Sequence, residues 1–101
     1  MLVAESDEIV LALISHILHR QGYSVDVAVS CDEAANHLKK NQYRAIILDA
    51  RMSGLLEKFP EHMPRTILLS PRMMSDERVH AVIQKPVEFG FLVDTVAACV
   101  K

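Results

Sequence analysis

The chain has 101 residues, of which 50% are hydrophobic and 24% are charged, and its formal net charge is −2 at pH 7. This length suits one domain, and this composition excludes an intrinsically disordered chain. The small negative charge provides no basic surface for nucleic acid or for an anionic membrane, and no apolar run is long enough to span a bilayer. The start of the chain does not resemble a secretion signal, and the two cysteines, Cys31 and Cys99, form no disulfide or zinc pattern. We therefore expect a cytoplasmic protein.

The first half of the chain alternates between strand and helix patterns. Leu2–Ala4 is a short apolar run that predicts a strand. From Ile9 onward, apolar residues recur at helical spacing until Gly22, which suits the residue after a helix end. Alternating residues over Tyr23–Val29 predict a second strand. The spacing in Ser30–Glu33 is that of a capping box and predicts the start of a second helix.

The second half continues this alternation, with weaker helices. Three apolar runs predict strands, at Ala45–Leu48, Thr66–Leu69 and Ala81–Ile83. Residues Phe89–Val100 have the apolar spacing of a C-terminal helix. The helical patterns at Leu55–Phe59 and Ser75–Val79 are short and weak, and Pro60 and Pro64 bracket a loop. Strands that alternate with helices predict an α/β fold in three layers, in which helices cover both faces of a parallel sheet.

Polar residues stand where four of the predicted strands end. They are Glu5, Ser6 and Asp7 after the first strand, Asp49 after the third, Ser70 after the fourth and Lys85 after the fifth. In a parallel α/β sheet, ligands bind beyond these carboxyl ends, so a suitable strand order would bring the groups into one cleft. Such a cleft suits a phosphoryl group and a divalent cation. Asp49 would attack phosphorus, while Lys85 and the Ser70 hydroxyl would contact phosphoryl oxygens.

The chain resembles the receiver domain of two-component response regulators. The resemblance rests on four segments in order, Leu2–Glu5, Ile46–Met52, Leu68–Ser70 and Lys85-Pro86. It implies one receiver domain over residues 1–101, with a flavodoxin-like five-stranded parallel sheet and shortened third and fourth helices. It also implies that Asp49 is the phosphoacceptor, that Ser70 is the switch hydroxyl and that Lys85 contacts the phosphate. The Lys85-Pro86 bond is commonly cis in this family, and X–Pro bonds have only a small preference for trans.

The resemblance further implies a magnesium ion. Its ligands would be Glu5, Asp49 and the backbone carbonyl of Arg51, with Asp7 as a further candidate. The family usually has a second acid where this chain has Ser6, and a hydroxyl is a poorer magnesium ligand than a carboxylate. We therefore expect magnesium to bind weakly, and Ser6→Asp to strengthen its binding.

Other positions also depart from the family pattern. Arg51 and Arg72 stand two residues after Asp49 and Ser70 respectively. Such arginines would either contact a phosphoryl oxyanion or pair with nearby carboxylates when no phosphate is present, and the sequence leaves both alternatives open. Val82 occupies the place of the family's switch aromatic residue. Because the third and fourth helices are weak, we expect the output signal to use either a different surface from the family's usual one or a modified form of it.

These departures leave two functions open. The first is a phosphoacceptor receiver of a phosphorelay, which takes a phosphoryl group from a histidine kinase or a histidine phosphotransfer protein and switches its interaction with a downstream protein. The second is a pseudo-receiver, which binds proteins independently of phosphorylation. Either would be a regulatory domain and not a turnover enzyme, without nucleic-acid or membrane contacts of its own. A dehalogenase-type phosphatase needs a second Asp where Arg51 stands, so we discount that class.

Each site residue also has a plainer interpretation. Asp49 would merely end a strand, and Glu5 and Asp7 would favour the start of a helix. Ser70 would be a turn residue and Lys85 a solvated loop residue. These roles are each common, and only convergence of these positions distinguishes a site. His16 and His19 lie three residues apart on the first helix, but no third ligand is evident, so surface histidines are the simpler interpretation.

Overall fold

The sheet is built from short strands, and the side chains of its three central strands are almost all buried. In a computed structural model that describes residues 1–59, 61 and 63–100, the predicted loop boundary at Pro60 lies outside the described residues. The strands are β1 Leu2–Ala4, β2 Asp26–Ala28, β3 Ala45–Asp49, β4 Arg65–Ser70 and β5 Ala81–Gln84. Their order is β2-β1-β3-β4-β5, and every neighbouring pair is parallel. The predicted parallel sheet is therefore confirmed, with the reversal of strand order between β1 and β3.

Side-chain caps fix where the first two helices begin. The helices are α1 Glu8–Arg20, α2 Cys31–Lys40, α3 Gly54–Lys58 and α4 Phe89–Val100. The Asp7 carboxylate accepts hydrogen bonds from the backbone N–H groups of Ile9 and Val10 at the start of α1. At α2, Ser30 Oγ accepts the N–H of Glu33, as the capping-box spacing predicted.

The helices form two layers because alternate strand residues point to opposite faces of the sheet. On one face, α1 and α4 cover the strand residues Val3, Ile47, Ile67, Leu69 and Ile83. On the other face, α2 and α3 cover Leu2, Ala4, Ile46, Leu48 and Leu68. The predicted three-layer arrangement is thus confirmed, and both faces of the central strands are apolar for this reason.

One element differs from the sequence prediction. The second strand begins only at Asp26, because its partner β1 has three residues and pairs Leu2 with Asp26 and Ala4 with Ala28. Tyr23 and Val25 still pack against the core cluster on the α1 side. The alternating pattern thus covers Tyr23–Val29, but only the residues that can pair with the short β1 form the strand.

The fourth crossover contains no helix within its described residues 71–80, so the weak pattern at Ser75–Val79 forms none and the expected shortening of the fourth helix is complete. This segment has only Val79 to bury, and a single apolar side chain cannot cover a helix face. Instead, Asp76 accepts hydrogen bonds from the backbone N–H and the guanidinium of Arg78. The third helix is present but has five residues, as its weak pattern suggested.

Candidate functional site

Buried polar side chains are concentrated at the carboxyl edge of the sheet. Among the described residues, four polar or charged ones are buried, and three of these, Glu5, Asp49 and Ser70, stand at the ends of β1, β3 and β4. Lys85 follows β5 at the same edge. Burial of charged groups is costly unless they are paired, so each of these side chains needs a partner.

Asp49 has the most contacts in this cleft, although its side chain is only 1% exposed. Its Oδ1 accepts the backbone N–H of Arg51 at 3.2 Å and lies 3.7 Å from Lys85 Nζ. Its Oδ2 accepts the Ser6 hydroxyl at 3.0 Å, and Arg51 Nη2 lies 3.1 Å from the same oxygen. The carboxylate therefore lies between two cations and a hydroxyl donor.

Glu5 lies beside Asp49 and has no exposed side-chain surface. Its Oε1 lies 2.6 Å from Lys85 Nζ, which is the only partner of this oxygen among the described residues. Its Oε2 accepts the backbone N–H of Asp7 at 3.1 Å, and Arg51 Nη2 is 3.8 Å away. Two carboxylates and two cations thus form one neutral cluster across the ends of β1, β3 and β5.

The surroundings of Asp49 favour its ionised form. Burial by itself would raise the pKa of this carboxyl. Hydrogen bonds from the Arg51 backbone N–H, the Ser6 hydroxyl and the Arg51 guanidinium outweigh burial and hold the pKa of Asp49 well below its usual range. Asp49 is therefore a carboxylate at neutral pH, which is the form that a nucleophile requires.

Comparison with known proteins identifies the fold. No protein-family model matches the chain, and no curated protein matches it significantly in sequence. A CheY-like response regulator receiver domain protein from Methanospirillum hungatei matches in structure with a TM-score of 0.86 and 21% identity, over 98% of this chain and 90% of that one. The response regulator TrrA from Thermotoga maritima, solved in complex with Mg²⁺-BeF, has a TM-score of 0.81 and 22% identity, over 97% and 96% of the two chains. The receiver domain of the hybrid histidine kinase CckA has a TM-score of 0.85 and 22% identity, over 99% and 97%.

The chain has the fold of a response regulator receiver domain. The likeness extends over nearly the whole length of each chain compared, so the predicted flavodoxin-like receiver fold is confirmed. The Lys85-Pro86 peptide bond is cis, as the resemblance implied. No helix among the described residues is long and apolar enough to cross a membrane.

Within this receiver fold, the predicted site residues separate into two groups. Glu5, Asp49 and Lys85 are brought together in the cluster described above. Ser70 is buried at the same edge, but its hydroxyl accepts the backbone N–H of Arg72 at 3.3 Å. No described hydrogen bond links Ser70 to the side chain of Asp49 or Lys85, although its backbone carbonyl accepts the N–H of Lys85 at 2.7 Å.

Asp7 and Val82 have structural roles in the receiver fold. The Asp7 carboxylate is engaged as the cap of α1, so its part in a metal site stays a prediction that competes with this role. Val82 is half-buried and packs against the core cluster on the α2 side. The place of a switch aromatic residue is therefore filled by an aliphatic side chain that belongs to the core.

Of two contacts in the cleft, the sequence left one open and did not indicate the other. Arg51 pairs with Asp49 and Glu5, which is one of the two alternatives that the sequence left open. The Ser6 hydrogen bond to Asp49 was missed, because Ser6 was considered only as a poor metal ligand. The available signal was its place directly after Glu5, at the end of the strand that neighbours β3.

The arrangement of this cleft bears directly on magnesium binding. Glu5 and Asp49 are suitable ligands, but the Arg51 guanidinium already lies between Asp49 Oδ2 and Glu5 Oε2, and Lys85 holds Glu5 Oε1. Ser6 directs a hydrogen-bond donor, and not a lone pair, at Asp49 Oδ2. Among the described residues, no group of three or more His, Cys, Asp or Glu side chains is placed so that it could hold a metal ion. As arranged, the cleft does not fit a magnesium ion, and magnesium binding stays a prediction.

Proposed function

We propose that this domain accepts a phosphoryl group on Asp49 from a phosphohistidine of a histidine kinase or histidine phosphotransfer protein. The phosphoryl group would then switch the binding of a downstream protein. The observation that carries the proposal is the position of the buried Asp49 carboxylate, with Arg51 Nη2 at 3.1 Å and Lys85 Nζ at 3.7 Å. A strand-end acceptor flanked by two cations is suited to stabilise the charge of a transferring phosphoryl group.

The proposed chemistry uses groups that this chain supplies. An Asp49 carboxylate oxygen forms a bond to phosphorus as the P–N bond to the donor imidazole breaks, and the imidazole nitrogen retains the bonding electron pair and takes up a proton. The product is an aspartyl phosphate, whose phosphoryl oxygens carry about two negative charges in place of the single charge of the carboxylate. Lys85 and Arg51 would pair with these oxygens as a point charge and a planar fork, respectively.

A small apolar pocket lies beside the cleft and suits contact with a donor protein. It has a volume of about 190 Å³ and is lined by Val10, Leu13, Lys85, Pro86, Val87 and Phe89. Lys85 thus contributes to both the pocket and the charged cluster. On α1, Ile9 and Leu13 are 75% and 46% exposed. We propose that a donor helix packs on this side of α1 and on the loop after β5, within the cytoplasm where such relays operate.

A pseudo-receiver is the second candidate, and one observation favours it. The carboxylates of Glu5 and Asp49 are already neutralised by Lys85 and Arg51, so the cluster is electrostatically complete without a phosphoryl group. In that case the domain would present one fixed surface to its partner. Both candidates are regulatory binding domains and not turnover enzymes, and they differ in whether Asp49 reacts.

Phosphorylation of the whole chain by phosphoramidate separates the two candidates. Phosphoramidate is suitable because its P–N bond has the same chemistry as that of phosphohistidine. Intact-mass spectrometry should show one added phosphoryl group on the wild type and on Asp94→Asn, an exposed control, and none on Asp49→Asn. Absence of the adduct from the wild type would support the pseudo-receiver. An adduct that persists in Asp49→Asn would contradict the assignment of the acceptor.

A further inference from the structure

We infer that Arg51 is the resident cation of the acidic cleft and that a divalent ion binds there only by displacing its guanidinium. The inference deepens the proposed function, because it concerns how the same cleft balances its charge. It starts from one position: Arg51 Nη2 lies 3.1 Å from Asp49 Oδ2 and 3.8 Å from Glu5 Oε2. This nitrogen therefore bridges the two carboxylates that would have to bind the metal.

The charge of the cleft supports this role. Glu5 and Asp49 contribute two negative charges, and Lys85 and Arg51 contribute two positive charges, so the cluster is neutral with Arg51 in place. A magnesium ion added beside Arg51 would meet a like charge within a few ångströms, and the repulsion is strong near buried groups. With Arg51 withdrawn, the cluster has a net charge of −1 and attracts a cation.

Burial determines which member of the cluster can leave. The side chains of Glu5 and Asp49 are 0% and 1% exposed, whereas that of Arg51 is 69% exposed. A guanidinium with this exposure loses little hydration free energy in the cleft and regains its water easily when it moves out. The buried carboxylates cannot move into solvent in this way. Competition between magnesium and the Arg51 guanidinium is therefore decided by movement of the Arg51 side chain.

The backbone of Arg51 stays in place when its side chain moves. Its N–H donates to Asp49 Oδ1 at 3.2 Å, at the start of the 3₁₀ turn Ala50–Met52. The guanidinium can therefore exchange a carboxylate oxygen for a phosphoryl oxygen without unfolding the turn. Phosphoryl transfer to Asp49 should then depend only weakly on magnesium, because an internal cation is already available.

Calorimetric titration with magnesium chloride tests the inference on the whole chain in the absence of any phosphodonor. Arg51→Gln should bind magnesium at least about tenfold more tightly than the wild type, since it leaves one negative charge uncompensated. Arg44→Gln is the matched control, because Arg44 is exposed before the amino end of β3, and it should bind like the wild type. The double variant Arg51→Gln/Asp49→Asn should lose the gain. Equal or weaker binding by Arg51→Gln would overturn the inference.

Nuclear magnetic resonance of the wild type provides a measurement that does not depend on a variant. The Nε–H signal of Arg51 should shift during the magnesium titration and reach its limit at the concentration that saturates the calorimetric signal. Saturating magnesium binding without any change in this signal would show that the ion and Arg51 do not compete. Both measurements report on the metal alone, so they succeed or fail independently of phosphorylation at Asp49.

Discussion

Lys85 Nζ lies 2.6 Å from Glu5 Oε1, and the Glu5 side chain is completely buried. The pair joins the ends of β1 and β5, which are separated in the sheet by β3 and β4. A buried carboxylate is tolerated only when it is paired. This contact therefore holds the side chains of Glu5 and Lys85 in position beside Asp49. The lysine therefore has a structural role in addition to its proposed contact with phosphate.

Lys85→Met should destabilise the domain by about 3 kcal/mol, because it leaves the Glu5 carboxylate buried without its partner. Glu5→Gln/Lys85→Met should recover part of this loss, since the neutral amide costs less to bury. Urea denaturation followed by circular dichroism measures both free energies of unfolding. Lys40→Met, an exposed site on α2, is the control and should change stability little. Additive losses in the double variant would show that the two residues are not coupled.

Acid should destabilise the domain through Asp49. Its pKa is lowered in the folded state, so the unfolded chain takes up this proton at a higher pH, near the ordinary value of about 4. The contribution of Asp49 is therefore full above that pH and declines as pH falls toward the folded pKa. Between about pH 2.5 and pH 4.5, the free energy of unfolding should rise with pH more steeply in the wild type than in Asp49→Asn. The Asp94→Asn variant should follow the wild type; parallel curves for wild type and Asp49→Asn would contradict the expectation.

Substitution of Asp7 distinguishes a helix cap from a metal ligand. Asp7→Ala should lower stability by about 1 kcal/mol, because two N–H groups of α1 lose their acceptor. Asp7→Asn should retain the cap, since asparagine is an equally good residue at this position. Denaturation measures the first effect, and magnesium titration of Asp7→Asn tests the second role. If Asp7→Asn keeps the wild-type free energy of unfolding but binds magnesium more weakly than the wild type, Asp7 is a metal ligand.

The Tyr43 hydroxyl should lose its proton only at an unusually high pH. Burial and the hydrogen bond that its hydroxyl donates to Asp26 Oδ2 at 2.6 Å raise the pKa of Tyr43 to about 12. Because this value is higher than in the unfolded chain, the associated stability is complete below about pH 10 and is lost as pH rises through about 12. Tyrosinate absorbance should show a component near pH 12 in the wild type that Tyr43→Phe removes and Asp26→Asn moves to lower pH. If the absorbance component near pH 12 persists in Tyr43→Phe, it does not arise from Tyr43.

Local patterns in the sequence determined most of the elements and the positions of Asp49, Glu5 and Lys85. The buried strands appear as apolar runs, and Ser30 with Glu33 begins α2 as predicted, because side-chain periodicity and capping act within one or two turns of chain. The polar residues at the strand ends could also be identified, since a parallel sheet directs all its carboxyl ends to one edge. The weakness of the fourth helix was also apparent, because Ser75–Val79 offers little apolar surface to bury. The extent of β2 could not be predicted, because it depends on the length of β1.

Only the tertiary structure decided how the charges of the cleft are paired. The sequence left Arg51 with two alternatives and did not indicate the Ser6 hydrogen bond, because both depend on the distance between β1 and β3 after folding. The same distance brings Glu5 within reach of Arg51, and the width of the sheet sets the Lys85 contact with Glu5. Strand order and burial determine which side chains from distant parts of the chain meet. Local sequence patterns do not contain this information.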